Sequence, residues 1–130
     1  MRTHFILSFA VAVSLSALTG CMTRQFTAGD SGESATLPAG TPFTVRLESN
    51  GSTGYQWQLD ALDEGVVSNT GQDYIGPAVA VPGAGGFEVW EFTARAAGTT
   101  TLQMSYRQPW DPNSPPADTF ELTVTVRAGL

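Results

Sequence analysis

Apolar and polar residues alternate one for one in five separate stretches of this chain, and that period confines it to β-structure. Phe43, Val45 and Leu47 alternate with Thr44, Arg46 and Glu48, and Tyr55, Trp57 and Leu59 with Gln56, Gln58 and Asp60. Trp90, Phe92 and Ala94 repeat the pattern, as do Leu102, Met104 and Tyr106. The cleanest run is Phe120, Leu122, Val124 and Val126, separated by Glu121, Thr123 and Thr125. Successive strand side chains point to opposite faces, so each run describes a strand with one face on a core and one in water. Turn residues punctuate the runs: Pro38-Ala39-Gly40, Asn50-Gly51, Gly65, Gly71, Gly83 to Gly86, Gly98 and Pro112 to Pro116. Short strands between such turns predict an all-β sandwich or barrel. Ser34 to Leu37 adds a first edge strand and Val66 to Tyr74 a weaker one in mid-chain. Asp60 to Gly65 is expected to form a single helical turn. No long helical period and no internal repeat is present.

The N-terminus follows different rules. Met1-Arg2-Thr3-His4 gives a short positive start, and Phe5 to Leu18 is an uncharged apolar run. It ends in Leu18-Thr19-Gly20-Cys21. A membrane span needs about 20 apolar residues, so a run this short with small residues behind it reads as a signal peptide. Leu-Thr-Gly-Cys resembles the bacterial lipobox, which implies diacylation of the Cys21 sulfur and cleavage before it. The expected layout is a lipoprotein signal at 1–20, a lipidated flexible tether at 21–33, and a single β-domain at 34–130. Met22 after the cysteine resembles the outer-membrane case, so the expected location is the bacterial envelope.

Composition then removes most chemistry. Cys21 is the only cysteine, so no disulfide contributes. The only histidine, His4, leaves with the signal, which eliminates Ser-His-Asp and Cys-His machinery and His-ligated zinc. There is no lysine for Schiff-base or Ser-Lys mechanisms. Losing Arg2 from a chain of formal charge −6 leaves −7, a poor match to nucleic acid or anionic lipid. Membrane contact is therefore expected through the acylated Cys21 alone. Asp63-Glu64 and Glu88/Glu91 are the available carboxylate pairs, yet acids here are expected on outward strand positions or in turns. No calcium-ligand spacing occurs. Gly83-Ala84-Gly85-Gly86 has no following helix with which to cradle phosphate. No enzyme, metal or cofactor is expected.

Three loop segments stand out: Asn50-Gly51-Ser52-Thr53-Gly54-Tyr55 running into Gln56-Trp57, Pro82-Gly83-Ala84-Gly85-Gly86-Phe87, and Tyr106-Arg107-Gln108-Pro109-Trp110-Asp111-Pro112. Singly, each has an ordinary explanation as a hairpin turn, a relaxed connection or an end plug. Together and in this order, from about Ala35 to Val126, they resemble the chagasin family (I42) of cysteine-protease inhibitors. That family carries Asn-Pro-Thr-Thr-Gly-Tyr-x-Trp, Gly-x-Gly-Gly and Tyr-x-Arg-Pro-Trp loops. Asn50, Thr53, Gly54, Tyr55, Trp57, Gly83, Gly85, Gly86, Tyr106, Pro109 and Trp110 match. Gly51 stands where proline is usual, Ser52 replaces a threonine, and Gln108 takes the arginine position with Arg107 one residue earlier.

The resemblance implies an immunoglobulin-like β-sandwich of about seven strands. It also implies reversible, competitive inhibition of papain-like cysteine proteases by three loops wedged into the active-site cleft. Carried over, Asn50, Gly51, Ser52, Thr53 and Gly54 would enter the cleft, with Ser52 and Thr53 near the catalytic cysteine. Gly83, Ala84, Gly85 and Gly86 would approach one wall, where glycine has no Cβ to clash. Arg107, Gln108, Pro109 and Trp110 would meet the other, with Trp110 as anchor. Tyr55, Trp57, Trp90 and Tyr106 are read as support, Tyr106 propping the third loop. Gly51 in place of proline raises the ordering cost of binding by about 1 kcal/mol or less. Gln108 in place of arginine removes a charge-assisted bond of about 1–2 kcal/mol. The alternative is a non-inhibitory envelope lipoprotein module that keeps the loops but binds another protein or a peptide; a monomer is expected in either case.

Overall fold

The computed structural model describes residues 23–79 and 81–129. Cys21 and the signal at 1–20 lie outside the described residues. Eight strands form two four-stranded sheets among the described residues: β1 (Arg24–Thr27), β2 (Ser34–Pro38), β3 (Pro42–Ser49), β4 (Gln56–Ala61), β5 (Val67–Ile75), β6 (Gly86–Ala94), β7 (Gly98–Arg107) and β8 (Asp118–Arg127). The first sheet runs β1-β3-β6-β5 and the second β2-β8-β7-β4. All five alternating runs fall on strands, save that Tyr55 precedes β4, and so do Ser34 to Leu37 and most of Val66 to Tyr74. The helical turn expected over Asp60 to Gly65 is not formed: Asp60 and Ala61 extend β4, and a non-helical turn begins at Asp63, whose carbonyl accepts from the N–H groups of Val66 and Val67, both at 3.0 Å.

The alternation delivers the core directly. Phe43, Val45 and Leu47 from β3, Phe92 from β6, Leu102 and Met104 from β7, and Phe120, Leu122 and Val124 from β8 are fully buried between the sheets. Phe43 stacks on Phe92 with ring centroids 5.3 Å apart. Burial of each such side chain contributes about 1.5–3 kcal/mol, so these inward faces hold the two sheets together without a disulfide.

One of the eight strands falls within the expected tether, part of which is folded. Arg24–Thr27 pairs in parallel with the first half of β3, from Arg24↔Phe43 to Thr27↔Arg46. Phe26 is only 4% exposed and meets Phe43 edge-on at 5.7 Å. A lone apolar residue between polar neighbours carries no periodic signal, yet its burial is enough to hold an edge strand. Ala28–Asp30 then makes one 3-10 turn. Beyond it Gly32 N–H donates to Glu121 O at 2.8 Å, carrying the chain across to the second sheet. There β2 pairs in parallel with β8.

Strand direction sets the poles of the sandwich. Ser49 at the end of β3 lies opposite Gly86 at the start of β6, and Gln56 at the start of β4 lies opposite Arg107 at the end of β7. Ile75 of β5 and Asp118 of β8 are at the same level, opposite Phe87 and Tyr106. The β3–β4, β5–β6 and β7–β8 connections therefore all emerge at one pole. Thr23 enters at the other, next to the beginning of β3.

Candidate functional site

The β3–β4 loop is organised by Asn50. Its backbone is extended (φ −113°, ψ 96°), and its Oδ1 accepts from Ser52 N–H at 3.1 Å and Ser52 Oγ at 2.6 Å, capping a 3-10 turn over Gly51–Thr53. An Asn side chain reaching two residues ahead is a standard way to start such a turn. Thr53 Oγ1 donates to Asn50 O at 2.7 Å and accepts from Tyr55 N–H at 3.3 Å. Gly54 ends the turn in the left-handed region, at φ +79°. Gly51, Ser52 and Thr53 are exposed at the tip.

The other two loops lean on this one. Asn50 Nδ2 donates to Gly83 O at 3.1 Å, joining the first loop to the β5–β6 loop. Gln108 Nε2 donates to Thr53 O at 3.3 Å, joining it to the β7–β8 loop. The Trp110 ring covers Gly54 so closely that a Cβ there would overlap the indole. Below them Asn50 N–H donates to the Tyr106 hydroxyl at 2.9 Å. The Tyr106 ring lies between Tyr55 (5.3 Å) and Trp57 (5.2 Å). Tyr106, expected to prop the third loop, thus holds up the first one directly.

The sequence-predicted site residues separate into tips and supports. Ser52, Thr53, Gly83, Gly85, Pro109 and Trp110 are exposed, and Trp110 is 69% accessible despite its contact with Gly54. Ala84 and Gln108 are half-buried. Gly86 is buried, and a Cβ there would collide with Ile75 O, so its role is to let β5 and β6 close. Arg107 turns inward on its own loop, donating from Nη1 to Ser114 O at 2.8 Å and Pro112 O at 3.4 Å, and from Nε to Ser105 Oγ at 3.0 Å. Ser114 Oγ bonds Asp111 Oδ2 at 2.6 Å, tightening the same loop.

Two features escaped the sequence reading. Val79 and Val81, 67% and 54% exposed, place apolar side chains on the second loop beside the glycines. The other is Glu88, expected on an outward position and found in the core at 4% exposure. It is in phase with Trp90, Phe92 and Ala94, and extending that run back by two residues would have placed it. Glu91 is on the opposite face of β6, so the two do not form an acid/base pair. Among the described residues no cluster of His, Cys, Asp and Glu is placed to hold a metal ion.

Comparison with known proteins matches residues 36–124, a span containing all three loops, to the chagasin family of I42 peptidase inhibitors. The chain belongs to the chagasin family. It is 29% identical over 112 residues to Chagasin of Trypanosoma cruzi, covering 82% of this chain and 99% of that one. It is 32% identical over 94 residues to Amoebiasin-1 of Entamoeba histolytica, covering 71% and 88%. The solved structure of PbICP-C in complex with falcipain-2 shares the fold at a TM-score of 0.60 and 21% identity, covering 82% of this chain and 92% of that one. The family is one of peptidase inhibitors and not of enzymes. Its immunoglobulin-like sandwich is that of the family, and its three cross-linked loops occupy the pole where the family motifs fall.

Proposed function

We propose that this chain is a reversible, competitive inhibitor of papain-like cysteine proteases, with the three-loop pole as the inhibitory wedge. The observation that carries this reading is the mutual bonding of the loops: Asn50 to Gly83, Gln108 to Thr53, and Trp110 over Gly54. A surface already held in its binding shape loses little conformational entropy on docking, which is what a non-covalent inhibitor needs to compete with substrate. In this reading Ser52 and Thr53 sit against the catalytic cysteine. Gly83, Ala84 and Gly85 meet one wall of the cleft, and Pro109 and Trp110 the other. Gly51, Gly54 and Gly86 shape the loops, and Arg107 and Gln108 brace the third. The reading calls for no covalent bond to the protease, so blockade is by occupancy.

Titration of papain with the purified full chain tests the proposal. Residual activity should fall with inhibitor concentration, substrate should compete, and activity should return on dilution. Undiminished papain activity at micromolar inhibitor would remove it.

We also propose that Cys21 is diacylated and holds the chain in a bacterial envelope, at the outer membrane. Only Met22 separates Cys21 from Thr23, so the anchor reaches at most about 7 Å from the fold. Thr23 is at the pole opposite the loops, and the eight residues of β3 span about 26 Å between the poles. That orientation favours loops facing away from the membrane, where a protease cleft can reach them. Metabolic labelling with a fatty acid should mark the wild-type chain and not Cys21→Ser; equal labelling of both would discard the anchor.

A further inference from the structure

Beneath the first loop four hydrogen-bond donors converge on one buried carboxylate. Glu88 Oε2 accepts from Ser49 Oγ at 2.7 Å and from Trp57 N–H at 3.1 Å. Its Oε1 accepts from the Gln72 side-chain amide at 3.0 Å and from the Trp90 indole N–H at 3.3 Å. The donors come from β3, β4, β5 and β6, and all four are neutral. The position is in phase with Trp90, Phe92 and Ala94, where an apolar side chain would pack without desolvating a charge. A buried ionic group replaced together with its partners by well-packed apolar ones often costs no stability, whereas removing it alone strands the partners. A carboxylate here needs its donors in place, and so the donors are held by it.

Two of those donors frame the inhibitory loop. Ser49 immediately precedes Asn50, and Trp57 follows Tyr55 by two residues. Ser49 belongs to the first sheet and Trp57 to the second, and the covalent link between β3 and β4 is the loop itself. One oxygen, Oε2, therefore fixes the spacing of the two stems from which Ser52 and Thr53 project. Trp57 adds a second tie, its indole N–H donating to Glu48 O at 2.9 Å. The other oxygen secures Gln72 and Trp90, locking Glu88 against rotation.

We infer that Glu88 is a positioning residue for inhibition, a buried clamp that sets the shape of the first loop before a protease arrives. It acts through Ser49 and Trp57 and touches no protease itself. The inference rests on the inhibitor reading above. Substituting the clamp should degrade binding beyond any loss of global stability, because the unbraced loop must be ordered on docking.

The test compares full-length wild type with Glu88→Leu, Glu88→Gln and Ser49→Ala. Papain association and dissociation rates, urea stability, and amide exchange of residues 51–54 in the free protein are measured. Glu88→Leu strands the Ser49 and Trp57 donors, so papain dissociation should accelerate at least about tenfold. Amides 51–54 should exchange faster, while β7 and β8 keep their protection. In Glu88→Gln the remaining oxygen can face Ser49 and Trp57 and the Gln72 amide can turn to accept, leaving only the 3.3 Å bond from the donor-only Trp90 indole unmade, so much of the lost affinity should return. Ser49→Ala removes one tie and should fall between the two.

Unchanged loop exchange and unchanged dissociation in Glu88→Leu would overturn the inference. If that variant does not fold, Ser49→Ala decides, and wild-type loop exchange in it is equally fatal. Should wild type fail to inhibit papain, the inhibitor reading falls on that result, while the exchange comparison still judges the clamp.

Discussion

Replacing Gly54 with alanine perturbs the contact between the first and third loops at a single atom. Two costs can be worked from the structure. Gly54 has φ +79°, and an L-residue held in that region costs about 1–2 kcal/mol. The new Cβ would also overlap the Trp110 ring, so the indole must leave its seat. An unseated tryptophan has to be immobilised again on binding, which costs about 0.5–1.5 kcal/mol. Gly54→Ala should therefore lower unfolding free energy by about 1–2 kcal/mol and weaken papain inhibition by roughly 2- to 12-fold. Trp110→Ala alone should cost about 2 kcal/mol or more of binding, close to thirtyfold, with little change in stability. The double mutant separates the two effects. With Trp110 gone there is nothing left to unseat, so Gly54→Ala should add almost nothing to the inhibition constant, while its backbone cost in urea unfolding persists. Inhibition losses that simply add in the double mutant would refute the seating argument.

Gly51→Pro should tighten inhibition and raise stability by about 0.4–1 kcal/mol in urea unfolding. Gly51 opens the 3-10 turn with a negative φ and open space around a would-be Cβ, and Asn50 before it is already extended, so proline fits there. Gln108→Ala should weaken inhibition by about 0.5–1.5 kcal/mol through loss of its bond to Thr53 O, measured as a faster dissociation rate. Phe26→Ala should destabilise the domain by about 3–5 kcal/mol in urea unfolding and expose β1 to exchange. Removing residues 1–33 should do similar damage, where a dispensable tether would leave stability unchanged.

What could be read from the chain alone was whatever a backbone period makes local. Phe120 to Val126 declares itself as a strand because one face is core and the other water, and the loop motifs declare the family because their residues are contiguous. Phe26 stayed silent because a single apolar side chain has no period, and its burial depends on Phe43, which lies 17 positions away. Glu88 was misjudged from its charge, although its phase with Trp90 pointed inward. Its donors Ser49, Trp57 and Gln72 come from three other strands. The loop contacts follow the same logic: Asn50 reaches Gly83, Thr53 reaches Gln108, and Gly54 reaches Trp110 because strand direction brings three distant turns to one pole. The sequence by itself determined the β-class, the inward faces and the family motifs, since alternation and motif spacing are properties of neighbouring residues. Only the tertiary structure decided which residues stand exposed at the loop tips and which brace the loops, because that division depends on pairing between strands far apart in the chain.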